Sequence, residues 1–272
     1  MNKMQAGFIG FIPKGSDFFE TCRKYADIGY TVCEGAYGLF REGDPAENAA
    51  KLRDMGMRVL TMGASVQGGK SPDIPDLAAK ARLVGADRIT MYISSASSWR
   101  FADRDELPDE EEITKEIACM EAAAKACREE GLKFIFHNHD QEFITCYNGV
   151  PLFWMIAALA PTVEFELDLA WAQYAGENPA RIIRQLGSRL AALHVKDYAR
   201  GDNFEYKPRR TVKVPRYTTP GTGLVDMEDC LGAAAEVGCP YAIIEQDMPY
   251  HLSTEDTVRT AYFNMKETGF VE

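Results

Sequence analysis

A short segment near the middle of the chain carries side chains that could do chemistry. Residues 133–143 read KFIFHNHDQEF, so an apolar run ends in two histidines and two acidic residues. The whole chain has only four histidines, so two of them in this one segment are a concentration. Imidazole and carboxylate groups bind divalent cations and transfer protons when they lie close together. The segment is therefore a candidate site.

Three later apolar segments end with similar side chains. They read VEFELDLAW, LAALHVKD and YAIIEQD, and each is predicted to be a strand. Side chains at i and i+2 lie on the same face of a strand, and the apolar side chains occupy the other face. The polar face of the four segments then holds His137, His139, Glu164, Glu166, Asp168, His194, Lys196, Glu245 and Asp247.

Carboxylates that converge in a buried site need compensating positive charge, because the loss of hydration is otherwise too costly. A divalent cation would supply it, and carboxylates with one imidazole suit Mn²⁺, Mg²⁺, Co²⁺ or Zn²⁺. Ion pairs without a metal are the alternative, with Lys196 against Glu166 and Lys133 against Glu164. The residues alone leave both possibilities open.

The elements that must position these groups follow a repeated order of apolar and amphipathic segments. Segments 4–12, 31–36, 58–64, 88–94, 133–139, 163–169, 190–196 and 241–246 have the length and composition of buried strands. The intervening segments have helical periodicity, and one begins with Asp44 as a predicted N-cap and Pro45 at the first helical position.

Eight strand–helix units in about 250 residues are typical of a (β/α)8 TIM barrel, predicted here as one domain over residues 1–272. A doubly wound open sheet is the rival fold, but the chain has neither a G-x-G-x-x-G nor a Walker A sequence. In a barrel, the carboxyl ends of the strands form the active-site rim. Segments 95–108 and 198–225 are predicted to be irregular loops on that rim.

The composition excludes some classes of partner. The formal net charge is -11 and the sequence pI is about 5.0, so neither nucleic acid nor an anionic membrane is an expected partner. No apolar run is long enough to cross a bilayer, and the first residues are predicted to form a strand, not a signal peptide. Seven cysteines without C-x-x-C spacing predict free thiols in the cytoplasm.

The motifs HNHDQEF, ELDLAW, LHVKD, PGTGLVD and IIEQD, in this order, resemble the sugar phosphate isomerase/epimerase family of xylose isomerase-like TIM barrels. The resemblance covers nearly the whole chain and implies one divalent metal ion. By motif, the implied ligands are Glu142, Asp168, His194 and Glu245. Glu142 lies out of step with the strand before it, so its assignment rests on the resemblance alone, with His139 as the substitute ligand.

The resemblance also implies roles in catalysis. Family epimerases use the two metal-bound glutamates as base and acid, which here are Glu142 and Glu245. Arg200 matches a substrate-binding arginine of those epimerases. Trp171 stands where ketose 3-epimerases usually carry a histidine, so simple 3-epimerisation is in doubt and the indole is predicted to wall the substrate pocket.

Further residues are predicted to act near the metal. His139 is a candidate base, His137 could bind substrate hydroxyls or remain a hydrogen-bonded core histidine, and Glu34 and Lys196 are candidate substrate-binding residues. The basic stretch at 206–216 could bind a phosphate, contact an acidic subunit or remain solvated. A homo-oligomer is compatible with the sequence.

The sequence thus predicts a metal-dependent isomerase or epimerase of a small sugar, keto-sugar or sugar phosphate, which removes a proton next to a carbonyl to form a metal-stabilised enolate. A lyase that eliminates a β-substituent through the same enolate is the first alternative. A sugar-binding barrel without catalysis is the second.

Overall fold

A computed structural model of the protein describes residues 3–66, 70–101, 106–207, 210–248 and 251–272. The strands are β1 (Gln5–Phe8), β2 (Val32–Cys33), β3 (Arg58–Val59), β4 (Thr61–Ala64), β5 (Arg88–Met91), β6 (Lys133–His137), β7 (Cys146–Tyr147), β8 (Val150–Pro151), β9 (Glu164–Asp168), β10 (Leu190–Val195), β11 (Asp197–Lys207), β12 (Arg210–Thr218) and β13 (Tyr241–Ile244).

The helices are α1 (Phe18–Ile28), α2 (Pro45–Asp54), α3 (Ile74–Val84), α4 (Ser95–Phe101), α5 (Glu110–Glu129), α6 (Gln141–Ile144), α7 (Leu152–Leu159), α8 (Leu169–Tyr174), α9 (Pro179–Leu186), α10 (Met227–Val237) and α11 (Thr254–Glu267), with 3-10 turns at Ala36–Phe40 and Gly187–Arg189. Over the described part of the chain, no helix combines the length and the apolar character needed to cross a bilayer.

Nine parallel strand segments form the central sheet in the order β3-β2-β1-β13-β10-β9-β6-β5-β4. The two ends of this order, β3 and β4, are separated in the chain only by Leu60. The Leu60 N–H donates to the Cys33 carbonyl, and the Leu60 carbonyl accepts from the Asp87 N–H. The two segments thus act as one broken strand that closes the sheet, and the predicted TIM barrel is confirmed.

Each of the eight predicted strand segments contains an observed strand, and in all but segment 58–64 the observed strand ends earlier than predicted. His139, Lys196 and Glu245 consequently lie just beyond the ends of β6, β10 and β13. This position places them on the rim, where the chain turns away from the sheet. The prediction of Asp44 as an N-cap is confirmed, since its side chain accepts from the N–H groups of Ala46 and Glu47.

The apolar core has two parts. A large layer fills the space between the strands and the surrounding helices. A small cluster inside the barrel consists of Val32, Leu60, Ala192, Tyr241 and Ile243. This apolar cluster precedes the carboxyl ends of the strands. The inward-pointing polar side chains therefore lie together at those ends.

The two segments predicted to be irregular loops contain regular structure. Segment 198–225 contains most of β11 and all of β12, which pair antiparallel as a long hairpin. Segment 95–108 begins with α4. The alternation of Phe204 with Tyr206 and of Val212 with Val214 is a strand signal, which the neighbouring Gly and Pro residues obscured. Residues 102–105, and Arg209 of the basic stretch, lie outside the described residues.

Substitution of Phe165 tests whether the apolar layer between the strands and the helices is packed as described. Its buried ring lies 5.1 Å from that of Phe153, and the guanidinium carbon of Arg189 lies 4.9 Å from its centre. Replacement of Phe165 by Ala leaves a cavity and should lower the free energy of unfolding by about 3–5 kcal/mol. Urea denaturation measures the change. Phe263→Ala is the control, because that ring is 51% exposed, and its effect should stay within about 0.5 kcal/mol. Equal effects of the two substitutions would contradict the assigned packing.

Candidate active site

The carboxyl ends of five barrel strands bring two groups of metal-binding side chains together. In the first group, ligand atoms of His137, Asp168, His194 and Glu245 all lie within 4.8 Å of one another. The second group contains Glu34, Glu166 and His194 under the same condition. His194 belongs to both, so the groups form one acidic cluster. All its members are buried except Glu245, whose side chain is 21% exposed.

His194 is bonded through both ring nitrogens. Nδ1 lies 2.8 Å from Glu245 Oε2, and Nε2 lies 2.8 Å from Glu34 Oε2 and 3.2 Å from Glu166 Oε2. Burial alone would lower the pKa of His194, but the charges of Glu166, Glu34 and Glu245 outweigh it and raise the pKa well above its usual value. Without a metal ion, His194 is therefore a cation held by three carboxylates.

Lys196 is the second buried cation of the cluster. Its Nζ lies 2.8 Å from Glu245 Oε2, 3.0 Å from Asp247 Oδ2 and 3.1 Å from Asp168 Oδ2. Burial opposes its charge, but these carboxylates hold the pKa of Lys196 well above its usual value. Lys196 therefore pairs with these acids rather than with the predicted Glu166. The other predicted pair is present, since Lys133 Nζ lies 2.8 Å from Glu164 Oε2.

The carboxylates of the cluster differ in how well their charge is compensated. Burial raises the pKa of Asp168 to about 6 and that of Glu166 to about 7. Burial also acts on Glu245, but Lys196 and His194 outweigh it and hold the pKa of Glu245 well below its usual value. Negative charge thus exceeds the positive charge of the two cationic side chains.

The donor set fits a divalent cation. His137 Nδ1 and Glu166 Oε1 are buried and, among the described residues, have no hydrogen-bond partner. Burial, then His194 and His139, lower the pKa of His137 well below its usual value, so its imidazole is neutral and keeps a lone pair. Neutral imidazole and carboxylate oxygens are ligands for Zn²⁺, Mn²⁺ and related ions. A bound cation would also compensate the excess negative charge.

Asp168 divides its two oxygens between structure and cluster. Oδ1 accepts from the Trp171 N–H at 2.8 Å and so caps helix α8. Oδ2 faces Lys196. This hydrogen bond holds the carboxylate in an orientation that leaves Oδ2 facing the cluster.

Glu142 lies outside both groups of possible metal ligands. The hydroxyls of Ser94 and Ser97 donate to its Oε1, and the His139 N–H donates to its Oε2 at 2.7 Å. The place that the family resemblance gave to Glu142 is taken in the first group by His137. Burial raises the pKa of Glu142 to about 7, although these three donors act in the opposite direction.

The remaining predicted residues differ in their distance from the cluster. The ring of His139 lies 5.0 Å from that of His137 and 5.5 Å from that of Trp171. Trp171 is buried, and Lys196 Nζ lies 5.7 Å from its ring centre, so the indole forms part of the wall. Arg200 is exposed on strand β11 of the hairpin.

Glu34 connects the cluster to a cavity of about 520 Å³, which we call the side cavity. The side cavity is lined by residues 9–16 and 18 after β1, residues 33–35, 37, 38 and 41 at and after β2, and Tyr92. Glu34 Oε1 accepts from the Tyr92 hydroxyl at 2.6 Å, while its Oε2 bonds His194. The side cavity therefore adjoins the acidic cluster at Glu34.

Sequence analysis left several of these residues out of the candidate site. Glu166 lies two positions before Asp168, and Asp247 lies two positions after Glu245. The spacing therefore predicted that their side chains point inward, but it did not assign them a role in the site. Tyr92 and Ser94 follow β5 with the same spacing, but hydroxyl side chains near a strand end are too common to be a signal.

Glu142 gives a test based on pH. A pKa of about 7 in the folded protein, against 4.5 for an ordinary glutamate, means that folding favours the protonated form. Its contribution to stability is complete below pH 4.5 and is lost as the pH rises through 7, by roughly 3 kcal/mol. Glu142→Gln mimics the protonated form, so metal-free wild-type protein should lose about 2.5 kcal/mol more than the variant between pH 5 and pH 8 in urea denaturation.

The exposed Glu255→Gln variant is the matched control and should follow the wild type. Identical pH dependence in wild type and Glu142→Gln would show that Glu142 is ionised in the folded protein throughout this range.

Comparison with known proteins places the chain in a family. Residues 22–262 match the family model described as xylose isomerase-like TIM barrel. No curated protein matches the chain at a significant level.

Three solved structures illustrate the similarity. A sugar phosphate isomerase/epimerase from Parabacteroides distasonis has a TM-score of 0.74 at 17% identity, over 100% of both chains. The probable 3-DHS dehydratase AsbF from Bacillus anthracis has a TM-score of 0.73 at 11% identity, over 97% of this chain and 99% of that one. D-psicose 3-epimerase from Clostridium cellulolyticum H10 has a TM-score of 0.66 at 15% identity, over 98% and 99%.

At these identities the structural similarity concerns the fold. The family model covers most of the chain. The protein belongs to the xylose isomerase-like TIM barrel family.

Proposed function

We propose that the protein is a divalent-metal-dependent isomerase or epimerase of a small sugar, keto-sugar or sugar phosphate. The reaction removes a proton from a carbon next to a carbonyl and returns a proton to the same or a neighbouring carbon. The observation that carries the proposal is the convergence of two imidazoles and several carboxylates at the carboxyl ends of the barrel strands, where barrel enzymes carry their active sites.

His137, Asp168, His194 and Glu245 are the residues that would hold the ion, because their ligand atoms already lie within 4.8 Å of one another. When bound, a divalent cation supplies positive charge that stabilises negative charge developing on a substrate oxygen. The resemblance to sugar phosphate isomerases gives Glu142 in place of His137. Substitution of each residue in turn distinguishes these two sets.

Glu245 is the proposed proton acceptor. It is the most exposed member of the acidic cluster, at 21% of its side chain, so a substrate can reach it. Lys196 and His194 each lie 2.8 Å from its Oε2 and hold its pKa well below the usual value. Glu245 is therefore ionised at neutral pH, which is the state that a general base requires.

His139 is the proposed group on the other side of the substrate. It is half-buried next to Trp171, on the rim after β6. The Glu142 carboxyl accepts from its backbone N–H at 2.7 Å. Glu142 is therefore a positioning residue in this proposal, and it fixes the direction in which the imidazole leaves the backbone.

Two further residues would orient the substrate. The Glu34 carboxylate, held by Tyr92 and His194, presents a fixed acceptor to a sugar hydroxyl. The buried indole of Trp171 excludes water from the same region. Removal of water strengthens the charge interactions of Lys196 and Glu245.

An elimination would begin with the same proton removal. A proton delivered by His139 to a leaving group, in place of one returned to carbon, would make the protein a lyase. The similar structures support either outcome, since they include D-psicose 3-epimerase and a probable 3-DHS dehydratase. A barrel that binds sugar without turnover is the remaining alternative.

Hydrogen exchange in heavy water tests the proposal. Purified protein with Mn²⁺ is incubated with a panel of ketoses, their phosphates and keto-glycosides, and NMR follows the hydrogens next to the carbonyl. We expect deuterium incorporation with at least one compound. Glu245→Gln should slow this exchange by about 100-fold or more, because a general base typically contributes about 10²–10⁴.

Glu255→Gln, an exposed substitution on α11, should leave the exchange rate unchanged. Loss of a substituent instead of exchange would identify the lyase. The absence of both exchange and elimination across the panel would refute an enzyme that acts by proton removal.

A further inference from the structure

The side cavity is larger and more apolar than the proposed chemistry requires. Its volume of about 520 Å³ lies within the range of about 300–1,000 Å³ that is usual for sites binding drug-sized ligands. The proposed proton transfer uses only the edge of this space, at Glu34. The remainder extends between the loops that follow β1 and β2.

Aromatic and aliphatic side chains form most of its wall. They are Ile9, Phe11, Ile12, Phe18, Tyr37 and Tyr92. Tyr37 is 62% exposed, so much of its surface is open to contact with a ligand in the side cavity. Its position is nevertheless defined, because a Cβ atom at Gly63 would lie only 2.6 Å from the Tyr37 hydroxyl oxygen. The ring thus lies directly against the backbone of β4.

Few polar side chains face the interior of the side cavity. Lys14 and Arg41 are exposed and lie at its rim. The Ser16 hydroxyl donates to the Pro13 carbonyl at 2.7 Å, and on the Tyr92 side Glu34 Oε1 already accepts from the Tyr92 hydroxyl. A sugar ring placed here would bury several hydroxyls with few partners, and a buried hydroxyl without a hydrogen-bond partner weakens binding. An apolar ring has no such cost.

We propose that the side cavity binds an aromatic ring attached to the sugar, so that the substrate is a glycoside of a keto-sugar or a similar keto derivative with an aromatic substituent. This inference rests on the proposed function, which puts the reacting sugar at the acidic cluster. Glu34 then marks the junction, with the sugar on the His194 side of its carboxylate and the aromatic ring on the Tyr92 side.

Matched ligand pairs test this assignment by binding alone. Calorimetry compares the 4-nitrophenyl and methyl β-glycosides of glucose, galactose, mannose and xylose, with the full chain and Mn²⁺. For at least one sugar, the nitrophenyl glycoside should bind about tenfold more tightly or better than the methyl glycoside, since burial of an aromatic ring against other rings exceeds 1.4 kcal/mol. No difference for any of the four sugars would overturn the proposal.

Tyr37→Ala locates the binding. It should weaken nitrophenyl glycoside binding by roughly 5- to 20-fold and leave the methyl glycoside unchanged. Tyr206→Ala is the matched control, because Tyr206 is 83% exposed and belongs to the hairpin, not to the side cavity. Phe18→Leu, at another lining residue of the side cavity, gives a second variant if Tyr37→Ala melts early. Preferential binding that both wall substitutions leave intact would put the ring elsewhere and refute the proposal.

The two proposals fail in different ways. Deuterium exchange into free keto-sugars, with equal binding of methyl and nitrophenyl glycosides, would keep the proposed function and refute the aromatic site. Tyr37-dependent binding of nitrophenyl glycosides without exchange or elimination would keep the aromatic site and refute the enzymatic function.

Discussion

The structure depends on how the barrel compensates several carboxylates that it buries at one end. Charged groups removed from water require partners, and an uncompensated carboxylate in the interior would be protonated or would destabilise the fold. Lys196 and His194 supply positive charge, and each contacts three carboxylates. Because the compensation is incomplete, the pKa values of Asp168 and Glu166 stay raised. The arrangement thus leaves a cluster of side chains that could hold a metal ion.

The barrel produces this concentration through its layers. Apolar residues such as Ile243 and Val32 form a small cluster inside the barrel. Further along the same strands the inward positions are polar, so each strand contributes to one cluster without disturbing the core. Asp168 serves both the fold and the cluster, since one carboxylate oxygen caps α8 while the other faces Lys196.

Much of the fold could be predicted from the sequence because strand position and side-chain direction follow from local patterns. Period-two alternation correctly placed His194 and Lys196 on the inner face. The polar residues that end four of the apolar segments marked the carboxyl ends of those strands. The partners of Lys196 could not be predicted, because they depend on how far each chain continues beyond its strand. Glu142 shows the same limit: its contacts with Ser94 and Ser97 join segments 45–48 residues apart in sequence.

The β11–β12 hairpin and the side cavity could not be predicted from the sequence patterns, for a different reason. Both are formed by rim segments whose Gly and Pro residues indicate a turn but not the path of the chain. The wall at Tyr37 depends on contact with the backbone near Gly63, two strands away in the chain. The proposed aromatic-binding site therefore lies in the part of the fold that sequence periodicity describes least.

Direct measurement of metal binding tests the account most sharply. Metal-free protein is titrated with Mn²⁺, and the free ion is followed by electron paramagnetic resonance. The account predicts saturable uptake of one ion per chain, abolished or greatly weakened in Asp168→Asn and unchanged in Asp229→Asn, an exposed control on α10. Absence of saturable uptake, or uptake that Asp168→Asn leaves intact, would contradict the claim that the buried carboxylates form a cation site.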